Sequence, residues 1–167
     1  MAQPKNPQQE LASFIAKYTP EIASLAETIL TKMRQRYPTA LELVYDNYNA
    51  LVIGFGPTER SSQAIFSIAL YPRWINLFFL QAKGLPDPER RLRGNGRVVK
   101  HIRLPSADAL DDPAVRSLMH EATTRAAVPL NPSGTHRLII KSVLAKQRPR
   151  RPAERTRPDS RNRVAKK

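Results

Sequence analysis

Residues 91–104, RLRGNGRVVKHIRL, hold four arginines, a lysine, a histidine and two glycines. Two chemistries could use such a run. A glycine loop with adjacent cations can cradle a phosphate, or the glycines can turn the chain and leave the cations displayed on a strand as an anion-binding face. The spacing favours the second. A phosphate loop needs lysine followed by serine or threonine after a longer glycine frame, and a dinucleotide loop needs a third glycine. Here Gly94, Asn95 and Gly96 run directly into Arg97, Val98 and Val99. Asn and Gly tolerate the positive φ of tight hairpin turns, so the motif predicts a turn. On the strand that follows, Arg97, Val99, His101 and Arg103 share one face, and Val98, Lys100, Ile102 and Leu104 share the other. The second set is mostly apolar and is expected in the core. The first offers Arg97, His101 and Arg103 to an anion, with Arg91 and Arg93 beside them. Tyr45, Tyr48 and Trp74, on neighbouring strands, supply stacking surface.

Other reactive groupings lack a frame. Without cysteine, thiolate nucleophiles, thiolate metal sites and disulfides are excluded. His101, His120 and His136 share no metal-ligand spacing, and the helix that begins HEATT at His120 has no second histidine four residues on. Asp108, Asp111 and Asp112 form a carboxylate cluster, but the last two sit where helix-start residues belong. Ser133 and His136 are neighbours only in a loop. Glu42, Asp46 and Asp87 have no spacing that pairs them for acid–base work. No catalytic residue, metal ligand or cofactor is expected.

The elements that must carry the basic face follow from periodicity. Thr19-Pro20-Glu21 is a helix entrance, with a capping hydroxyl, a proline at the first helical position and an acid at the positive dipole end. Ile22, Leu25, Ala26, Ile29, Leu30 and Met33 continue at helical spacing, and Pro38 forces an end near Arg36. A shorter helix is predicted over 7–17. Then the period falls to two. LELVYDNY, ALVIGF, QAIFSIAL, WINLFFL and RVVKHIRL read as strands, and five in succession without intervening helices predict an antiparallel meander. Asp111-Asp112-Pro113 opens a later helix with an apolar face of Val115, Leu118, Met119 and Ala122. RLIIKSVL, residues 137–144, is either a short strand or a helix. The expected class is α+β, an antiparallel sheet of about five strands with helices on one face.

Charge is distributed unevenly. Residues 146–167 hold ten Lys or Arg against Glu154 and Asp159, a net of +8 out of the chain's +14. With three prolines and little apolar surface, this segment is expected to be a disordered Arg/Lys/Pro-rich tail after a single domain over 1–145. Its charge would raise affinity for any polyanion by counterion release. Absence of cysteine, of an apolar leader and of a membrane-length apolar run points to a soluble cytoplasmic protein with no membrane partner.

Taken in order, the helical N-terminus, ELVYDNYNALVIGF, IALYPRWINLFF, LRGNGRVVKHIRL and LDDPAVRSLMHEA resemble the YdhG-like domain family across about residues 10 to 127. That family is largely one of unknown function. The resemblance implies a small α+β fold in a bacterial protein. Some relatives are frataxin-like iron chaperones, a role that draws on exposed carboxylates. This chain departs from them by its strong positive charge, so no iron ligand is carried onto its residues. The expected function is a non-enzymatic binding domain whose basic face and tail engage an anionic partner such as nucleic acid. Iron handling, or an enzyme with a small-molecule substrate, is the alternative.

Overall fold

The computed structural model describes residues 6–153. Helix α1 spans Pro7–Ile15 and α2 spans Pro20–Arg36, capped by Asn6 and Thr19 side chains that accept from the amides of Gln8 and Ile22. Strands β1 (Leu41–Asp46), β2 (Leu51–Gly56), β3 (Phe66–Leu70), β4 (Ile75–Phe79) and β5 (Lys100–Arg103) follow. After them come α3 (Pro113–Thr124) and β6 (Leu138–Val143). Both longer helices begin on the residues that the capping chemistry marks. Asp112 accepts from the Ala114 amide, with Pro113 at the first helical position.

The sheet runs β5-β4-β3-β2-β1-β6. The first five strands form the expected antiparallel meander. β6 corrects the expectation, because it pairs parallel to β1 and makes a mixed sheet of six strands. The tail boundary moves as well. Gln147 and Arg150 hydrogen-bond to Asp46 at the end of β1, and Arg150 is buried, so the expected disorder does not begin at 146. Residues 154–167 of that segment lie outside the described residues.

One face of the sheet builds the core. Val44, Ile53, Ile68, Leu77 and Ile102 stand in register across five strands and share a hydrophobic cluster with Leu11, Ile15, Ile29, Met33, Leu118 and Met119 of the three helices. Each fully buried aliphatic side chain contributes about 1.5–3 kcal/mol relative to exposure. The opposite face takes no part in this cluster. By register it carries two rows across β1–β5: Leu43, Gly54, Ser67, Phe78 and His101, then Tyr45, Val52, Ala69, Asn76 and Arg103. Its middle residues are small, which keeps the sheet surface low between Tyr45 on one side and Phe78 with His101 on the other. No helix among the described residues is long and apolar enough to cross a membrane.

Candidate nucleic-acid interface

The five predicted site residues divide among three places. His101 and Arg103 do lie on the face of β5 turned away from the helices. The His101 ring sits 5.3 Å from that of Phe78, its cross-strand partner. Arg103 holds its guanidinium 5.5 Å over the indole of Trp74. On the other side of the β3–β4 turn, Tyr71 stacks against Trp74 at 5.4 Å and 28°. Trp74 still keeps 38% of its surface exposed. An aromatic plane beside a guanidinium is a sequence-tolerant way to bind an unpaired base and its phosphate together.

Arg97 is not on the strand. β5 begins at Lys100, because its partner β4 ends at Phe79, opposite Lys100, and the strand ladder stops there, with Val98 held by its carbonyl accepting from the Ala82 amide. Val98 and Val99 are consequently exposed instead of buried. The glycines turn the chain, as the spacing requires, but over a longer loop than a two-residue hairpin. Arg93 and His101 exchange backbone hydrogen bonds of 2.8 and 2.9 Å and close the loop between them. Gly94 takes φ +109°, a conformation that a side chain would resist. Arg93 and Arg97 line a concavity at the sheet edge, with Arg90 and Lys100.

Arg91 is committed elsewhere. It pairs with Glu89 and Asp112, both at 3.2 Å, and ties the 87–92 loop to the start of α3. Asp112 holds its guanidinium further toward the charged form. It is a structural cation and leaves the candidate interface.

Two contributors, Lys146 and Arg148, lay beyond local pattern. Tyr48, in the β1–β2 turn, is 38% exposed and carries Arg148 at 5.5 Å and Lys146 at 6.0 Å over its ring. Arg148 reaches this place because its amide donates to the Tyr48 carbonyl at 2.8 Å. Between the β1–β2 and β3–β4 turns, Asn49, Tyr71, Trp74 and Arg148 line an open concavity of about 590 Å³. Arg103, Lys146 and Arg148 have no carboxylate within salt-bridge distance among the described residues. The YPRW turn and the aromatic Tyr48 were visible as residue types. Their approach to the C-terminal segment was not.

The residues weighed for other chemistries have internal partners. Glu42 accepts from Arg34 Nε and Nη2, each at 2.9 Å, and contacts His136, which therefore turns to Glu42. Asp46, fully buried, accepts from Lys17 at 2.6 Å and Arg150 at 2.9 Å. Burial raises the pKa of Asp46, but hydrogen bonds from Lys17, Gln147 and Arg150 outweigh it and hold the carboxyl below its ordinary range. Asp111 pairs with Lys32 and Arg36. Asp87 accepts from the Arg91 and Leu92 amides at 2.8 and 2.9 Å. Among the described residues, no three His, Asp or Glu side chains are grouped to hold a metal ion.

Comparison with protein-family models, curated proteins and solved structures returned no match to this chain.

Proposed function

We propose that this protein is a non-enzymatic binding domain for single-stranded nucleic acid. In this reading the strand lies over the end of the sheet where the β1–β2 and β3–β4 turns meet β5 and the C-terminal segment. The observation that carries the reading is Trp74, exposed yet held in place by Tyr71, with the Arg103 guanidinium over its ring. Trp74 and Tyr48 would stack bases, and Arg103, Arg148 and Lys146 would neutralise phosphates. The Lys/Arg-rich residues beyond 153 would extend the contact without sequence preference. The YdhG-like assignment and a cytoplasmic setting belong to the same proposal. Iron handling and small-molecule catalysis have no observation in their favour here.

Titration of the full chain with a fluorescent single-stranded oligonucleotide tests the proposal. Stacking of one base is worth about 1–3 kcal/mol, so Trp74→Ala should weaken binding roughly 5- to 150-fold. Arg103→Gln should lower the slope of log K against log salt by about 0.7, the value of one single-strand phosphate contact. If both variants bind with wild-type affinity and slope, the interface is wrong. If the wild-type chain fails to bind at low salt, the function is.

A further inference from the structure

The concavity that holds Arg93 and Arg97 has a volume of about 450 Å³ and lies apart from the aromatic end of the sheet. Lys100 shares its strand face with Ile102, the core side, while His101 and Arg103 point to the other. Arg90, Arg93, Arg97 and Lys100 line the concavity, and Asp87 is its one acidic lining residue. Asp87 is fixed by two loop amides, and the four cations less one carboxylate leave a net charge of +3. None of these four cations has a carboxylate within 4.0 Å among the described residues.

A second basic concavity provides the contrast. Between α2 and α3, Lys32, Arg36 and Arg116 also converge, in a space of about 510 Å³, but Asp111 sits among them and pairs with all three. There the chain supplies its own counter-ion. In the loop concavity it does not, although like charges held close without one are repulsive. The loop is also held in shape. Besides the Arg93–His101 exchange, the Ala82 amide donates to the Val98 carbonyl at 2.6 Å, and Lys100 Nζ donates to the Gly94 carbonyl at 3.1 Å. Guanidinium forks on a fixed loop match the geometry of a phosphate, whose oxygens accept paired N–H donors.

We infer that this concavity binds a multiply charged phosphate group, either the terminal phosphate of a nucleic-acid strand or that of a small phosphorylated molecule. The inference does not require the nucleic-acid reading, because inorganic pyrophosphate alone can test it. Calorimetric titration of the full chain with pyrophosphate at low salt should give saturable binding. The double variant Arg93→Gln/Arg97→Gln, with both changes on exposed loop side chains, should weaken it at least 10-fold. Arg60→Gln/Lys141→Gln removes equal charge from exposed side chains outside both concavities and should change it less than 2-fold. Equal losses in the two variants would reduce the effect to net charge and overturn the site, as would no binding by the wild-type chain. A companion titration compares 5′-phosphorylated and 5′-hydroxyl copies of one oligonucleotide. Tighter binding of the phosphorylated copy, abolished in the Arg93/Arg97 variant, assigns the strand terminus as source. Equal binding of the two copies, with pyrophosphate binding intact, assigns the small molecule. Loss of oligonucleotide binding in Trp74→Ala with pyrophosphate unaffected separates this site from the interface proposed above.

Discussion

Arg150 shows how far a side chain's role can depart from its local composition. Within a run of arginines and prolines it is the buried one, at 5% exposure, and its guanidinium donates to the Asp46 carboxylate and the Asn47 carbonyl. Removing one member of a buried ion pair leaves the other uncompensated, so Arg150→Met should cost on the order of 3 kcal/mol in urea unfolding. Acid should act on the same contact. Asp46 titrates below its ordinary value near 3.8 when folded, so its contribution is complete above that pH and is lost as pH falls through the folded pKa. The urea midpoint of the wild-type chain should therefore drop between pH 5 and pH 3 more steeply than that of Asp46→Asn, as these windows follow from the carboxylate range. Asp111, lowered chiefly by its hydrogen bond from Lys32, contributes to both slopes and cancels in the comparison. Nearby, Tyr18 donates to the Leu70 carbonyl and accepts from the Leu51 amide, at 2.9 and 3.1 Å, and burial pushes its hydroxyl up to about 12. Tyr18→Phe strands both backbone groups and should cost about 1–3 kcal/mol in the same assay.

Helices and strands differ in how much of them could be read from the chain. α2 and α3 start where Thr19-Pro20 and Asp112-Pro113 say they should, since capping is settled within four residues. β5 begins three residues later than its alternation suggests. Val98 and Val99 have the right side chains for a strand, but whether they pair depends on the length of β4. β6 was ambiguous for the same kind of reason: its parallel partner, β1, lies nearly a hundred residues upstream and leaves no mark on a local window. Within the interface, Arg103 and Trp74 could be placed from alternation and a turn, whereas Arg91 was lost to Asp112 because an ion pair between separate loops is invisible to spacing. Gly56 shows the constraint at a strand end. A Cβ there would lie 2.8 Å from the Ala64 backbone, so Gly56→Ala should destabilise by about 1–3 kcal/mol, measurable as a lowered urea midpoint.

Across the whole molecule, the C-terminal basic segment is two things. Up to Arg151 it belongs to the fold: Gln147 contacts Lys17 and the Asp46 carbonyl, Arg148 is held at Tyr48, Arg150 is buried and Arg151 donates to the Lys17 carbonyl. Beyond that point lie six of the ten cations counted from residue 146, namely Arg155, Arg157, Arg161, Arg163, Lys166 and Lys167. A chain ended after Ala153 should keep its urea midpoint and lose part of its nucleic-acid affinity and salt slope. A chain ended after Ala145 should lose stability as well, because it strips Arg150 from Asp46. Thermal unfolding and oligonucleotide titration of both truncations separate the two roles, and unchanged stability after Ala145 would refute the structural one.

The parallel strand at the far edge also sets an order of events during synthesis. β1 through β5 can pair as each leaves the ribosome, since every partner is adjacent in the chain. β6 emerges only after α3, so until then β1 presents an open hydrogen-bonding edge that includes the wholly buried Leu43 and Val44. An unpaired apolar edge is the usual seed for association between nascent chains. The last strand made is thus the one that makes an unfinished molecule safe from its neighbours, and a polypeptide released at residue 137 would meet them with that edge bare.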